Sequence, residues 1–377
     1  MKPLIYADHA ATTRLDPEAF EAMKPFLLEE YGNASQPYSF AGGPRQALKE
    51  ARALIAHCIH ADPEEIFFTS GGTEGDNWAI KETVRPTSER NAVITSQIEH
   101  HAVLRACETL EKRGCPVTRL PVTGEGLVTP ASLEAAISPA TRLVSVMLAN
   151  NEIGTIQPIR ELCRIAHRHG ALFHTDAVQA LGHVPIDVRD LGVDLLSASA
   201  HKCNGPKGVG FLYIKKGTPI AAYADGGTQE RGMRAGTENI AAIVGMAVAL
   251  RANCDTMAQN TAHLRGLEAR LLERLSSANR DFIRNGSPAG IPGNLSLSFR
   301  HADGEALLHR LDLKGICVST GAACDADSTR LSHVLEAIGL PECYARGTIR
   351  VSLGKSNTRE EAERIAEALN SILDQVF

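Results

Sequence analysis

The sequence predicts an α/β protein on a mostly parallel sheet, with a second, smaller α/β domain in its C-terminal third. Three observations carry that expectation. Short, continuous apolar runs alternate with amphipathic helical stretches through residues 65–214. Polar or glycine-rich clusters follow these runs. A long helical stretch at 239–277 leads into a turn-rich joint at 285–293, and a mixed tail follows. Strands covered on both faces read as unbroken apolar runs, and strands alternating with helices form parallel sheets.

In chain order, 65–69 reads as a strand and 74–82 as a helix. Residues 92–96 are a strand and 101–112 a helix; 143–148 and 159–169 repeat the pair. Further strands are expected at 172–175, 195–198 and 210–214. Ala- and Leu-rich stripes without a sustained heptad make 239–277 helical. In the tail, 295–299 and 348–352 read as strands, and 304–311, 328–338 and 359–375 as helices.

Composition narrows the function. The chain has 377 residues, 44% hydrophobic and 22% charged, which suits a packed globular protein and argues against disorder. The formal charge of −5 argues against a general nucleic-acid binder, whose footprint is a basic field. No apolar run is long enough to span a bilayer, and the start lacks the pattern of a secretory signal. Nine cysteines are scattered with no C-x-x-C pair, as expected for reduced thiols in the cytoplasm.

Ligands of doubly wound sheets bind at the carboxyl ends of the strands, so polar residues there are the candidates. Thr69-Ser70-Gly71-Gly72-Thr73-Glu74 joins a strand to a helix. Its glycines admit a ligand to the backbone and its helix offers N–H groups to an anion, although an ordinary capped turn reads the same way. Glu99-His100-His101, Asn150-Asn151-Glu152-Ile153-Gly154 and the Asp176-Ala177-Val178-Gln179 strand end follow. Each alone also reads as a cap or turn. The segment Ser199-Ala200-His201-Lys202-Cys203 is the most informative. A lysine just past a buried strand is costly to desolvate, and desolvation makes its amine a nucleophile. A reactive lysine, an aspartate at a neighbouring strand end and a phosphate cradle are the parts that pyridoxal 5'-phosphate needs. Lys207, between Pro206 and Gly208, is the rival lysine and is expected in an exposed turn.

These motifs, with Tyr6–Thr13, Gln229–Thr237, Gly321-Ala322-Ala323-Cys324 and Ile349-Arg350-Val351-Ser352, run in one order across nearly the whole chain. Together they make the sequence similar to the NifS/IscS-like cysteine desulfurases, in the class V aminotransferase group of fold-type-I pyridoxal-phosphate enzymes. The resemblance implies a mostly parallel seven-stranded sheet. It implies a large domain at 16–258 and a small domain formed by 1–15 and 259–377. Lys202 would bind the cofactor covalently and later move a proton. Asp176 would pair with the ring nitrogen, and Gln179 and Asn151 would contact the ring oxygen or the substrate. His100 would stack on the ring and assist acid–base steps. Gly72, Thr73, Ser199 and His201 would hold the phosphate. Thr237 would reach the phosphate of the other subunit of a homodimer. Arg350 would take the substrate carboxylate as a fork.

By the same resemblance, Cys324 separates a desulfurase from an aminotransferase. Ser319–Ser328 is small and polar without apolar periodicity, which reads as a mobile loop. The Cys324 thiolate would take sulfur from L-cysteine as a persulfide. Asp325 and Asp327 are expected to disfavour its ionisation. Cys203, Cys317 and Cys343 are expected to be structural. Relatives that dock an iron–sulfur scaffold carry a tail beyond the position of Phe377, so the acceptor is left open between such a scaffold and a transfer-RNA thiolation enzyme. A class V aminotransferase, a cysteine or selenocysteine lyase, and a non-catalytic scaffold that binds a sulfur acceptor are the alternatives.

Overall fold

The computed structural model describes residues 4–320 and 331–376. Cys324, its neighbours Asp325 and Asp327, and the first residues of the helix expected at 328–338 lie outside the described residues. The strands are β1 (Ile5–Tyr6), β2 (Ile66–Thr69), β3 (Ala92–Ser96), β4 (Val117–Leu120), β5 (Thr141–Ser145) and β6 (Leu172–Asp176). They continue with β7 (Leu195–Ser199), β8 (Gly210–Ile214), β9 (Phe282–Asn285), β10 (Asn294–Phe299), β11 (Ile316–Cys317) and β12 (Thr348–Ser352).

Seven strands form the main sheet in the order β2-β8-β7-β6-β5-β3-β4. The pairs β7·β6, β6·β5, β5·β3 and β3·β4 are parallel, and β8 runs antiparallel to both of its neighbours. The unbroken apolar runs have a direct cause. In β8, Phe211 and Tyr213 pack into the core on one face, while Leu212 and Ile214 pack into a separate cluster on the other. Both faces are dry, so alternation disappears from the sequence.

A three-stranded antiparallel sheet, β12-β10-β9, forms a second unit with helices Met257–Ser277 and Arg359–Val376. Its core gathers Leu267, Leu271, Leu295, Leu297, Ile349, Val351 and Ile365, and takes in Ile5 and Ala7 from the start of the chain. β1 pairs in parallel with β11, which ties that start to the same unit.

Three expectations are corrected. The stretch 239–277 is two helices, Ile240–Asp255 and Met257–Ser277, bent by 70°. At the break, Thr256 Oγ1 donates back to the Ala252 carbonyl and accepts from Asn260, while the apolar stripes run on through it and hide it. The joint at 285–293 starts one residue late, because Asn285 ends β9 and the turn opens at Gly286, whose φ is +80°. The strand expected at 143–148 is β5, Thr141–Ser145. The N–H groups of Val146 and Leu148 still bond to the carbonyls of His174 and Asp176, so the run keeps following β6. β4 carries no apolar run in the sequence because it is an edge strand of mostly half-exposed residues (Val-Thr-Arg-Leu).

Candidate active site

The carboxyl ends of the parallel strands open on a cavity of about 360 Å³. Its walls include Gly72, Thr73, Asp76, His100, Asn151, Asp176, Gln179, Ser199, His201, Lys202 and Arg350. All but one of the cofactor- and substrate-contact residues expected in the described part of the chain meet here.

One wall is a backbone cradle. β2 ends at Thr69, and Gly71, with φ +152°, leads into helix Gly72–Lys81. A Cβ on Gly72 would sit 2.4 Å from Val178 Cγ2, so only glycine lets this helix start against the strand end of Asp176. A Cβ on Gly210 would fall 2.3 Å from the Ala198 carbonyl oxygen and 2.8 Å from Gly71 Cα. The close approach brings Ser199 beside the helix N-terminus, where N–H groups and the helix dipole favour an anion.

The floor is acidic and dry. Asp176, at the end of β6, accepts from the Val178 N–H at 2.9 Å. Burial pushes its carboxyl above the usual range, while His100, the Val178 bond and Lys202 pull it back. Asp76 is 1% exposed, and burial together with the Asp176 charge pushes it well up. Its Oδ1 has no hydrogen-bond partner, and the nearest cationic candidate, His174 Nε2, stands 3.6 Å away. Burial drives His174 down to about 3, so that ring is neutral. Two buried carboxyls, of which Asp176 is already drawn toward His100 and Lys202, are surroundings that a protonated ring nitrogen would satisfy.

His100 caps helix His101–Lys112, with the Ala102 N–H donating to its Nδ1 at 3.1 Å. That bond assigns the ring proton to Nε2. Burial, with Lys202 and His101 beside it, lowers the pKa of His100 against the pull of Asp176, which favours the neutral ring. The preceding residue, Glu99, is fully buried and pushed up to about 8 by desolvation. It accepts from the Ser96 hydroxyl at 2.5 Å and the Met147 N–H at 3.0 Å. Ionising Glu99 is penalised only in the folded state. Its neutral form therefore contributes stability that is complete below about 4.5 and lost as pH climbs through about 8, on the order of a few kcal/mol. Glu99→Gln is expected to denature at a higher temperature than the parent at pH 9 and to lose that lead at pH 5. A difference that stays constant between the two pH values would refute the assignment.

Lys202 follows β7 in a short 3-10 turn. Its Nζ donates to the carbonyls of Ala10 at 2.6 Å and Ala11 at 2.8 Å. Gln179 Nε2 also donates to the Ala10 carbonyl, at 2.8 Å. Thr13 Oγ1 donates to the His201 carbonyl and accepts from the Asn204 N–H, while Thr12 Oγ1 meets His201 Nδ1 at 3.2 Å. Burial and the neighbouring Lys202 bring His201 down to about 4. The N-terminal segment therefore latches over the lysine loop. Lys207 is exposed, as expected of the rival.

Arg350, on β12, reaches the cavity from the smaller unit and is 3% exposed. Nη2 pairs with Asp8 at 2.8 Å and Nη1 donates to the Asn151 carbonyl at 3.1 Å. Nε is buried with no partner. A held guanidinium with an unused N–H is a receptor for a carboxylate.

Thr237 is the exception. It is exposed and lines a separate cavity of about 140 Å³ with Ser70, Arg234 and Asn239. Cys203 is fully buried, bonds through its thiol to the Ala200 carbonyl and is pushed up to about 12 by burial. Sequence reasoning gave no role to Asp8, Asp76 or the Ala10 and Ala11 carbonyls. Asp8 lies inside the Tyr6–Thr13 motif, but backbone carbonyls leave no mark in a sequence.

Lysine and aspartate at adjacent strand ends, a glycine cradle and an acidic floor fit pyridoxal phosphate, and they define a fold-type-I enzyme that uses it. The aminotransferase class-V family model matches residues 5–365. Cysteine desulfurase IscS of Dictyoglomus turgidum is 47% identical, covering 100% of this chain and 96% of its own. Cysteine desulfurase IscS of Methanosarcina thermophila is 44% identical, covering 99% and 92%. A solved NifS-like protein superposes with a TM-score of 0.94 at 37% identity, covering 99% of this chain and 100% of that one. A structure described as SspA in complex with cysteine gives 0.83 at 35% identity, covering 94% and 100%. The chain belongs to the class-V aminotransferase family and, within it, to the NifS/IscS-like cysteine desulfurases.

Proposed function

We propose that this chain converts L-cysteine to L-alanine and takes the sulfur as a persulfide on Cys324. The observation that carries the reading is the convergence of Lys202, Asp176, His100 and Arg350 on one cavity beside the cradle. When bound, pyridoxal phosphate supplies an electron sink for the substrate carbons. Gly72, Thr73, Ser199 and His201 would hold its phosphate, Asp176 its ring nitrogen, and Lys202 its aldehyde carbon. His100 presents Nε2–H to the cavity as a proton donor. Arg350 receives the substrate carboxylate, and Asp8 and the Asn151 carbonyl keep the guanidinium in place. The Cys324 thiolate attacks the substrate sulfur. An S–S bond forms, the C–S bond breaks with its electron pair left on carbon, and a proton from Lys202 completes the methyl group of alanine.

The same reading includes a homodimer in which Thr237 reaches the partner's cofactor phosphate. Its position outside its own chain's cavity agrees with that reading. The eight described cysteines are free thiols, which suits the reducing cytoplasm. The persulfide would pass to an acceptor protein, an iron–sulfur scaffold or a transfer-RNA thiolation enzyme.

The test is direct. Purified protein with L-cysteine and a reductant is expected to release alanine and sulfide in equal amounts. Pyruvate in place of alanine would assign a lyase reaction and sink the proposal. Arg350→Ala is expected to raise KM for L-cysteine on the order of 100-fold, because a charge-assisted pair is lost, with a smaller effect on kcat. An unchanged KM would remove Arg350 from the substrate site.

A further inference from the structure

We propose that Asp76 is a positioning residue of the cofactor site: a neutral carboxylic acid beside Asp176 that leaves Asp176 as the single anion of the floor. The proposal rests on the cofactor reading above, in which Asp176 meets the ring nitrogen, and gives Asp76 a role of its own within it.

The fold forces the two carboxyls together. Asp76 is the fifth residue of helix Gly72–Lys81. A Cβ on the preceding Gly75 would sit 2.9 Å from Ser197 Oγ, so the helix lies tight against β7 and carries Asp76 to the end of β6. Side-chain atoms of Asp76, Asp176 and His100 all lie within 4.8 Å of one another. Asp76 is 1% exposed and Asp176 5%. Two carboxyls so close and so dry resist ionising together.

Their partners decide which one is neutral. Asp176 accepts from the Val178 N–H at 2.9 Å and feels the pull of His100 and Lys202. Asp76 Oδ1 is buried and receives no hydrogen bond. An anionic oxygen there would be desolvated and unpaired, whereas the carbonyl oxygen of a neutral acid carries little charge. The groups that face Asp76 supply no positive charge in return. His174, on β6, stands 3.6 Å away. Its Nδ1 meets the Ser145 hydroxyl at 2.8 Å and its Nε2 the Ser197 hydroxyl at 2.9 Å, so hydroxyls use both nitrogens of a buried, neutral ring. Glu99 adds a further buried carboxyl, and His100, whose Nδ1 accepts from the Ala102 N–H, is neutral as well. The upward push of burial and the Asp176 charge on Asp76 agrees with this assignment. Asp76 thus acts through Asp176. It fills the space beside that carboxylate without adding a second charge, and so fixes where the anion of the floor sits.

The experiment takes infrared spectra of the full-length protein at neutral pH, both loaded with pyridoxal phosphate and stripped of it. Isotope-labelled aspartate separates these groups from Glu99. A protonated aspartate band is expected in both forms, and Asp76→Asn should remove it. By equilibrium dialysis, Asp76→Ala is expected to weaken pyridoxal phosphate binding on the order of 10-fold, and Asp76→Asn, which keeps the neutral shape, to restore it to within about 3-fold of the parent. A spectrum with ionised aspartates only, a band that persists undiminished in Asp76→Asn, or an Asn variant that binds as weakly as the Ala variant would each overturn the proposal. A parent protein that bound no pyridoxal phosphate would overturn the cofactor reading and the proposal with it. The band of the stripped protein tells that failure from a wrong protonation state. Should Asp76→Ala fail to fold, the band and its loss in Asp76→Asn decide.

Discussion

Cys324→Ala is expected to bind pyridoxal phosphate as the parent does and to yield neither alanine nor sulfide from L-cysteine, a loss on the order of 1,000-fold or more in kcat. Lys202, Asp176 and the cradle lie in the described cavity and are untouched by the change, so the visible absorption of bound cofactor should be the same in both proteins. Cleavage that leaves alanine needs a nucleophile to accept the sulfur, and alanine at 324 provides none. The variant thus separates the two halves of the site: cofactor chemistry built on the sheet edge, and sulfur capture by the thiol. Sulfide and alanine production at the parental rate would mean that the family resemblance had supplied the right cofactor and the wrong sulfur carrier.

Lys202→Ala is expected to abolish the visible absorption band of the bound cofactor and to cut alanine formation on the order of 1,000-fold or more. The amine both binds and moves a proton, so both roles are lost together. The change also removes two hydrogen bonds to the Ala10 and Ala11 carbonyls, which loosens the N-terminal latch over the site. Cofactor affinity should fall as well, but not vanish, because the phosphate cradle and Asp176 remain. Lys207→Ala, an exposed position, should leave the band as it is. A band that survives in Lys202→Ala and disappears in Lys207→Ala would reverse the assignment.

The two halves of the site differ in how far the sequence announces them. Asp176 and Lys202 follow directly from apolar runs that end in a polar residue, because a covered strand must surface where its ligand binds. The cradle is legible only as a glycine-rich strand-to-helix turn; that a Cβ at Gly72 or Gly210 would strike Val178 or the Ala198 carbonyl is set by the fold. Arg350 is legible as a motif, but its orientation is not. The ion pair with Asp8 joins positions 342 residues apart, brought together where Asp8 bridges to Ser352, the last residue of β12. The acidic floor is hidden in the same way. Asp76 has the look of any polar residue on a short helix until Asp176 and His174 close around it.

Local physics in the sequence by itself determined the α/β layering, the mostly parallel sheet, the positions of the lysine and the aspartate, and the anion cradle. Each follows from burial periodicity or from a backbone that only glycine tolerates. The tertiary structure alone decided which distant groups meet. It latched Ala10, Ala11, Thr12 and Thr13 onto the lysine loop, broke one apparent helix at Thr256 and kept Thr237 out of its own chain's cavity. These contacts join backbone carbonyls and side chains from remote segments, and no local propensity encodes the partner of a group that lies two hundred residues away.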